Sequence, residues 1–298
     1  MTVTVINDNA VVDNRVSNDA VNDSVLTTKG IDMLNGLCQP PHTSAGPYTV
    51  RFAQTLEEVH AAQALRYRIF YQEKDGRPSA EMQAERRDMD QWDESGFHIV
   101  VLDTREEQQP AVVGTLRLFY SECLEPEQHF YTEEAFDLNR LKNHFERSLE
   151  LSRFCVDPNG RGGVILMLIW KYAMSFIQDN NIPVMLGCAS FTGTDVDRHL
   201  PILQYLYQHH LAEKSLRPEP RVDDYIDLTA LYDTSEKSSA NWQEAQKSIP
   251  TLLRGYLKLG AKISDAAIVD FSFNTVYVSI YVETQSMLTT NPNLVTHV

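Results

Sequence analysis

The chain has 298 residues, a hydrophobic fraction of 43% and a formal net charge of −15 at pH 7. That length supports one large domain or two small ones, and the apolar fraction is that of a soluble globular protein. The charge argues against generic DNA or RNA binding, although it leaves room for a local basic patch.

The N-terminus lacks the basic and apolar regions of a secretory signal. No run of about 18 apolar residues is present to span a membrane. Cys38, Cys123, Cys155 and Cys188 are scattered, without CxxC or Cys/His spacing, so reduced thiols and a cytoplasmic location are expected. Residues 1–46 read as a disordered acidic tail and linker. "NDNAVVDNRVSNDAVNDS" has almost no aromatic residues, and the prolines and glycine of "CQPPHTSAGP" interrupt regular structure. The ordered part is expected over 47–285, with 286–298 as a flexible C-terminal tail.

Residues 48–52 alternate as a short strand. Thr55 is placed to cap a helix, with Glu58 completing a capping box. Val59, Ala62, Leu65, Ile69 and Phe70 then share one helical face. The polar "KDGRPSAEMQAERRDMDQWDESG" predicts a loop, and "FHIVVLDT" and "AVVGTLRLFY" predict two adjacent strands. A helix is predicted near 133–146, followed by a strand over 149–156, "LELSRFCV", with Glu150 and Arg153 inside an apolar run. "GGVILMLIWKYAMSFIQDNN" has the length and all-round apolarity of a buried helix. A short buried strand over 183–188 precedes the helix "DVDRHLPILQYLYQHH", whose Pro201 bends it or moves its start. A polar insertion spans about 211–245. The helix "SIPTLLRGYLKLG" and the strands "KISDAAIVD" and "TVYVSIYVE" complete the order β-α-β-β-α-β-α-β-α-α-β-β. Alternation after the middle strand predicts an α/β fold with a mixed sheet containing parallel pairs.

The segments "LRYRIFYQE", "DMDQWDESGFHIVV", "VVGTLRLFY", "ELSRFCVDP", "LGCASFTGTD" and "GYLKLGAKISDAAIVDFSFNTVYVSI" occur in order with sensible gaps. In this pattern the chain resembles the ornithine-acyl carrier protein N-acyltransferases, enzymes that make lyso-ornithine lipid. The resemblance covers about residues 52–283. The first four segments are shared with acyl-homoserine-lactone synthases and long-chain N-acyl amino acid synthases.

The resemblance implies a GNAT-like acyl-CoA N-acyltransferase fold, a mixed central sheet flanked by helices with a splayed parallel strand pair. It implies no permanently bound cofactor. It also implies that the phosphopantetheine arm of a thioester donor pairs with the bared strand edges like an extra strand. Cys155, Val156, Arg161, Gly162, Gly163 and Cys188 are then the expected donor-binding residues. "NGRGGV" opens the long helix as a phosphate-holding turn. It departs from the usual six-residue glycine pattern of acetyl-CoA-binding relatives, which favours acyl carrier protein over CoA as the donor. The acceptor implied is ornithine or a similar amino acid.

The resemblance implies, by residue-to-residue match to the related lactone synthases, that Arg66, Phe70, Asp90, Asp93, Arg117, Glu150 and Arg153 line or brace the active cleft. Side chains alternate along a strand, so Glu150 and Ser152 are expected on one face and Leu151 and Arg153 on the other. Glu150 is the expected base, acting directly or through water. Asp90, Asp93 and Asp270 are candidates for gripping a cationic acceptor, and Arg66 or Arg117 for pairing with its carboxylate. The alternative is a structural ion-pair network of Glu150, Arg153, Arg66 and Asp93 under the loop. Asp90 and Asp93 are also readable as solvated loop residues.

Cys155 and Cys188 read as small buried hydrophobes rather than nucleophiles. His209 and His210 read as a helix end. Asn274 is readable as a substrate contact or as a turn residue. Arg254 and Lys258 share a helical face with Lys262 just beyond, a patch suited to an acidic acyl carrier protein or to plain solvation, while the apolar flank of the same helix suits peripheral contact with the cytoplasmic face of the inner membrane.

Other readings keep a different acceptor such as glycine, lysine or glutamine, a lactone-forming signal synthase, or a non-catalytic carrier-docking module.

Overall fold

The computed structural model describes residues 28–105, 110–160, 163–234, 242–285 and 287. In chain order the elements are α1 (Thr28–Leu34), β1 (Thr43–Ala45), β2 (Tyr48–Phe52), α2 (Leu56–Tyr67), α3 (Ala80–Glu85), β3 (Phe97–Asp103), β4 (Ala111–Tyr120), β5 (Phe136–Asp137) and α4 (Asn139–His144). The second half contributes β6 (Ser148–Val156), α5 (Val164–Asp179), β7 (Val184–Thr192), α6 (Val196–His210), β8 (Glu219–Pro220), β9 (Ile226–Asp227), α7 (Leu228–Thr234), α8 (Trp242–Ser248), α9 (Thr251–Lys258), β10 (Lys262–Asp270) and β11 (Thr275–Glu283).

One sheet carries the fold, in the order β1-β2-β3-β4-β6-β7-β11-β10-β9. Its pairs are antiparallel except β6 with β7, which run parallel. That is the mixed sheet expected from the alternating order of elements. Leu116, Leu118, Leu149 and Leu151 point to one face, where α5 covers them with Ile165, Leu168, Ile169 and Tyr172. The alternate residues point to the other face, where α2 packs Val59, Ala62 and Leu65 against Val100, Val112 and Cys155.

Strand β6 departs from regularity on both edges. Its parallel ladder with β7 runs from Ser148↔Val184 to Leu151↔Gly187 and stops there, so Ser152–Val156 and Cys188–Thr192 diverge. Along its other edge β6 stays paired to β4, from Tyr120↔Leu149 to Gly114↔Val156, with a bulge between Thr115 and Arg117. The bulge holds Arg153 at φ +54°, a left-handed conformation uncommon outside glycine. One inserted residue reverses the alternation beyond it. Arg153 therefore shares the face of Glu150 and Ser152, against the expectation that it lay opposite.

Other expectations are corrected. Residues 28–46 are not a structureless linker. Helix α1 lies so close to the loop before β3 that a Cβ on Gly30 would stand 2.5 Å from the Gly96 carbonyl oxygen, and β1 pairs with β2. The rest of the expected tail, 1–27, lies outside the described residues. So does the expected C-terminal tail, apart from Met287, which is buried.

The predicted loop between α2 and β3 contains α3 and a 3-10 turn at Gln91–Asp93. The single helix expected near 133–146 is a 3-10 turn, Tyr131–Glu134, and the short α4. The strand expected at 183–188 extends to Thr192, and Pro201 sits inside α6. The Thr55 hydroxyl accepts the Glu58 N–H at 3.3 Å, and the Glu58 carboxylate accepts from Gln54 N and from Arg51.

Candidate active site

Where β6 and β7 part, a cavity of about 590 Å³ opens between them. Leu151–Val156 form one wall and Cys188–Ser190 the other. The helix α2 ends in a π-helical turn, Arg68–Glu73, which turns Ile69, Phe70 and Glu73 into the cavity. Pro250 and residues Thr251–Leu253 and Tyr256 of α9 close one side, and Asp270, Phe273, Thr275 and Tyr277 of the β10–β11 hairpin close another. The hairpin tip is clamped in place. Arg77 N donates to Ser272 O at 2.6 Å, and the Phe273 ring packs 5.7 Å from both Phe70 and Tyr71.

Gly187 sits at the branch point. A Cβ there would lie 2.5 Å from the Leu151 carbonyl oxygen, so only glycine lets the last rung of the ladder close. Beyond that rung the β7-facing N–H and C=O groups of 152–156 lack a strand partner, while the β4 edge stays paired to Val156.

Glu150 is the last acidic side chain before the gap. It is fully buried yet touches the cavity. Its Oε2 accepts from Tyr131 N at 2.8 Å, and its Oε1 accepts from Thr132 N at 2.7 Å and from the Thr132 hydroxyl. Burial pushes the Glu150 carboxyl above the ordinary range, and the Thr132 hydroxyl and the two N–H groups offset only part of that. Glu150 is thus a fixed carboxylate with raised basicity at the mouth of the splay.

Arg66, Arg117 and Arg153 interlock with three aspartates on the face away from α5. Arg66 Nε donates to Asp88 Oδ2 at 2.7 Å, and its terminal nitrogens reach Asp93 Oδ1 at 2.7 Å and Oδ2 at 2.8 Å. Arg117 bonds both oxygens of Asp90 and Asp93 Oδ1, and its Nε reaches Ser152 Oγ at 3.2 Å. Arg153 Nε donates to Asp88 Oδ2 at 3.1 Å and Nη2 to Asp90 Oδ2 at 2.7 Å. Tyr71 Oη donates to Asp88 Oδ1 at 2.9 Å. Burial alone would raise Asp88 and Asp93, but the surrounding guanidinium groups outweigh it and hold both below the usual carboxylate range.

The geometry corrects the acceptor-binding assignment. Asp90 and Asp93 spend their oxygens on arginines, Arg66 and Arg117 are wholly buried, and none of the four lines the cavity. They brace the wall. Arg153 does reach the cavity, its guanidinium held 4.6 Å from the Tyr131 ring and 4.5 Å from the Phe273 ring. Glu150 stands outside the ion-pair network that the alternative reading placed it in.

Of the other expected residues, Phe70, Cys155, Val156, Gly163 and Cys188 line the cavity. Arg161 and Gly162 lie outside the described residues. Burial pushes both cavity thiols, Cys155 and Cys188, up to about 12, so they stay protonated at neutral pH; Cys188 Sγ lies 3.5 Å from Thr132 Oγ1.

Gly163, at φ +89°, opens α5 without a side-chain cap, and the N–H groups of the first turn have no intrahelical partners. Asn274 is a turn residue at φ +51° whose side-chain amide donates to Lys74 O at 3.1 Å, tying the hairpin to the π-helical turn. Arg254 and Lys258 are exposed on α9, and Lys262 begins β10, half-buried. His209 and His210 end α6, away from the cavity.

Sequence reasoning missed Asp88, Tyr131 and Thr132. The spacing of three acids in "DMDQWD", opposite three arginines in strand and helix segments, was the available signal for Asp88. Tyr131 and Thr132 act mainly through backbone N–H groups, which no residue pattern marks.

Residues 65–171 match the model of the acetyltransferase (GNAT) domain. The chain is 34% identical over 242 residues to the L-ornithine N(alpha)-acyltransferase of Rhodobacter capsulatus, covering 80% of this chain and 91% of that protein. It is 36% identical over 247 residues to the protein of the same name from Brucella abortus, covering 79% of this chain and 84% of that one. Among solved structures it is similar to FeeM, an N-acyl amino acid synthase from uncultured soil microbes, with a TM-score of 0.45 at 11% identity over 82% of this chain and 94% of that one.

Proposed function

The chain belongs to the L-ornithine N(alpha)-acyltransferase family, and from that premise we propose that it moves a long 3-hydroxyacyl group from acyl carrier protein to the α-amino group of ornithine, making lyso-ornithine lipid. The observation that carries this reading is the ladder that ends at Leu151↔Gly187 with a cavity in the gap. A pantetheine arm carries two amides, and bared backbone groups at a strand edge are what such amides pair with. The uncapped first turn of α5 at the cavity edge suits the arm's phosphate. Ile69, Leu116, Phe154, Leu166 and Leu253 give the acyl chain an apolar wall.

The chemistry needs little more. The acceptor's ammonium loses a proton to Glu150, directly or through water, and the free amine attacks the thioester carbonyl. The tetrahedral intermediate places negative charge on the former carbonyl oxygen, and unpaired N–H groups of 152–156 are positioned to receive it. Collapse breaks the C–S bond and leaves the amide, the thiolate of the pantetheine arm takes up the second proton lost by the attacking nitrogen, and Glu150 releases the first to solvent. Cys155 and Cys188 take no covalent part, because their thiols are held neutral.

The test is turnover by the purified chain with long-chain 3-hydroxyacyl carrier protein and labelled ornithine, with mass spectrometry of the lipid formed. A product with the mass of N-acylornithine is expected. Substrate binding without acyl transfer, or a product with another head group, overturns the reading.

A further inference from the structure

We propose that Asp270 selects a cationic acceptor by taking the side-chain ammonium of ornithine at the cavity wall; the inference rests on the proposed acyl transfer to ornithine and adds the residue that recognises the acceptor's distal charge. A cationic side chain in a cleft requires a carboxylate that the fold has not already neutralised. Asp88, Asp90 and Asp93 fail that requirement, each bonded to two arginines. Glu150 is occupied with three donors and with the α-amino proton. Glu73 and its neighbour Lys74 line the cavity as an oppositely charged pair of residues, and each is engaged in contacts of its own.

Asp270 differs from all of these. It ends β10 directly opposite Thr275, on the same face as Tyr277, and it lines the cavity. Its Oδ1 accepts from Ser272 N at 2.8 Å and Phe273 N at 2.9 Å, which fixes the carboxylate plane. Among the described residues its Oδ2 accepts no hydrogen bond, and no arginine or lysine pairs with the group. Its charge reaches the surroundings of Glu150. Burial raises Tyr131, Cys188 and Tyr277, and Asp270 adds to the rise in all three. Tyr131 and Cys188 are the residues that flank Glu150 through the 131–132 backbone and the Thr132 hydroxyl. The α-amine site and an unneutralised carboxylate thus share one cavity, which is the arrangement a diamino acid calls for and a neutral amino acid does not.

The experiment compares ornithine with norvaline, which has the same carbon skeleton and no δ-amine, as acceptors for the wild-type chain and for Asp270→Asn. Asparagine keeps Oδ1, so the turn bonds to Ser272 and Phe273 survive. The wild type is expected to favour ornithine in kcat/KM by about 100-fold. Asp270→Asn is expected to lose most of that preference through a raised KM for ornithine, with kcat/KM for norvaline within about threefold of wild type. Norvaline turnover doubles as the check on folding. An unchanged ornithine preference in Asp270→Asn overturns the assignment while acyl transfer stands. Equal loss for both acceptors also overturns it, since Asp270 would then act on the fold or the chemistry. A wild type that acylates neither acceptor removes the proposed function and this inference with it.

Discussion

Leu151 and Gly187 are the last residues of β6 and β7 to face each other, and a Cβ on Gly187 would stand 2.5 Å from the Leu151 carbonyl oxygen. The distance is too short for any side chain, and the atom it meets is backbone with nowhere to retreat. Gly187→Ala is therefore expected to force the strands apart one rung early. Overpacking of this kind costs about 1–3 kcal/mol, measurable as a lower urea midpoint. Because the rung borders the proposed donor cleft, the KM for the proposed donor, acyl carrier protein, should rise more than the KM for ornithine. A variant with wild-type stability and an unchanged donor KM would show that the close approach is not needed.

Glu150 gives a prediction in pH. Burial raises its pKa, so the carboxylate proposed to accept the acceptor's proton is lost at a pH above the ordinary glutamate range. The acid limb of kcat/KM is expected there, and Glu150→Gln should flatten it while lowering kcat by about 100-fold. The stability consequence has a definite sign. A raised folded-state pKa favours the protonated form, so the contribution is complete below the unfolded pKa and is lost as pH rises through the folded one. Denaturation of wild type and Glu150→Gln across that interval should show the wild type losing ground with rising pH. A pH-rate profile that Glu150→Gln leaves intact would assign the proton to another group.

The outline of the fold was legible because its signals are local. The apolar period of α2, α5 and α6, and the runs of β3, β4, β10 and β11, sit within single segments. Helix α1 was not, since its seven residues owe their place to Gly30 lying against Gly96, far along the chain. The site was half legible for the same reason. Two charges in an apolar strand mark Glu150 and Arg153, but the faces they occupy depend on a bulge opposite β4, which is a property of two strands together. Likewise, the acids at 88, 90 and 93 are visible in the chain. That Arg66, Arg117 and Arg153 consume them is decided by tertiary packing.

That network carries its own prediction. Removing Arg66 strands Asp88 and Asp93 without their main partner in a wholly buried setting. Breaking a buried pair from one side costs about 3–5 kcal/mol, so Arg66→Met should unfold at far lower urea than wild type. Because the arginines hold Asp88 and Asp93 low against the opposing effect of burial, their contribution is present above the unfolded aspartate pKa and is lost as pH falls through the folded values. Wild-type stability should accordingly drop in acid, opposite in sign to Glu150, and the drop should shrink in Arg66→Met. Equal acid sensitivity of the two proteins would mean that other carboxylates dominate.

Carrier docking on α9 is best tested at Lys258 alone. Arg254 donates to Lys247 O at 3.2 Å and Ile249 O at 2.9 Å, so reversing its charge would also loosen the turn that positions Pro250–Leu253 on the cavity wall. Lys258 is exposed at the end of the helix and makes no such contact among the described residues. A rim cation facing an acidic partner acts mainly on encounter, and its effect fades with salt. Lys258→Glu is therefore expected to raise the KM for acyl carrier protein several-fold at low ionic strength. The difference from wild type should close as salt is added, and kcat should hold. With a pantetheine-length thioester lacking the carrier protein, the two enzymes should be equal. A KM shift of the same size with that short donor would place the effect in the cavity, and no shift with either donor would move the docking face away from α9.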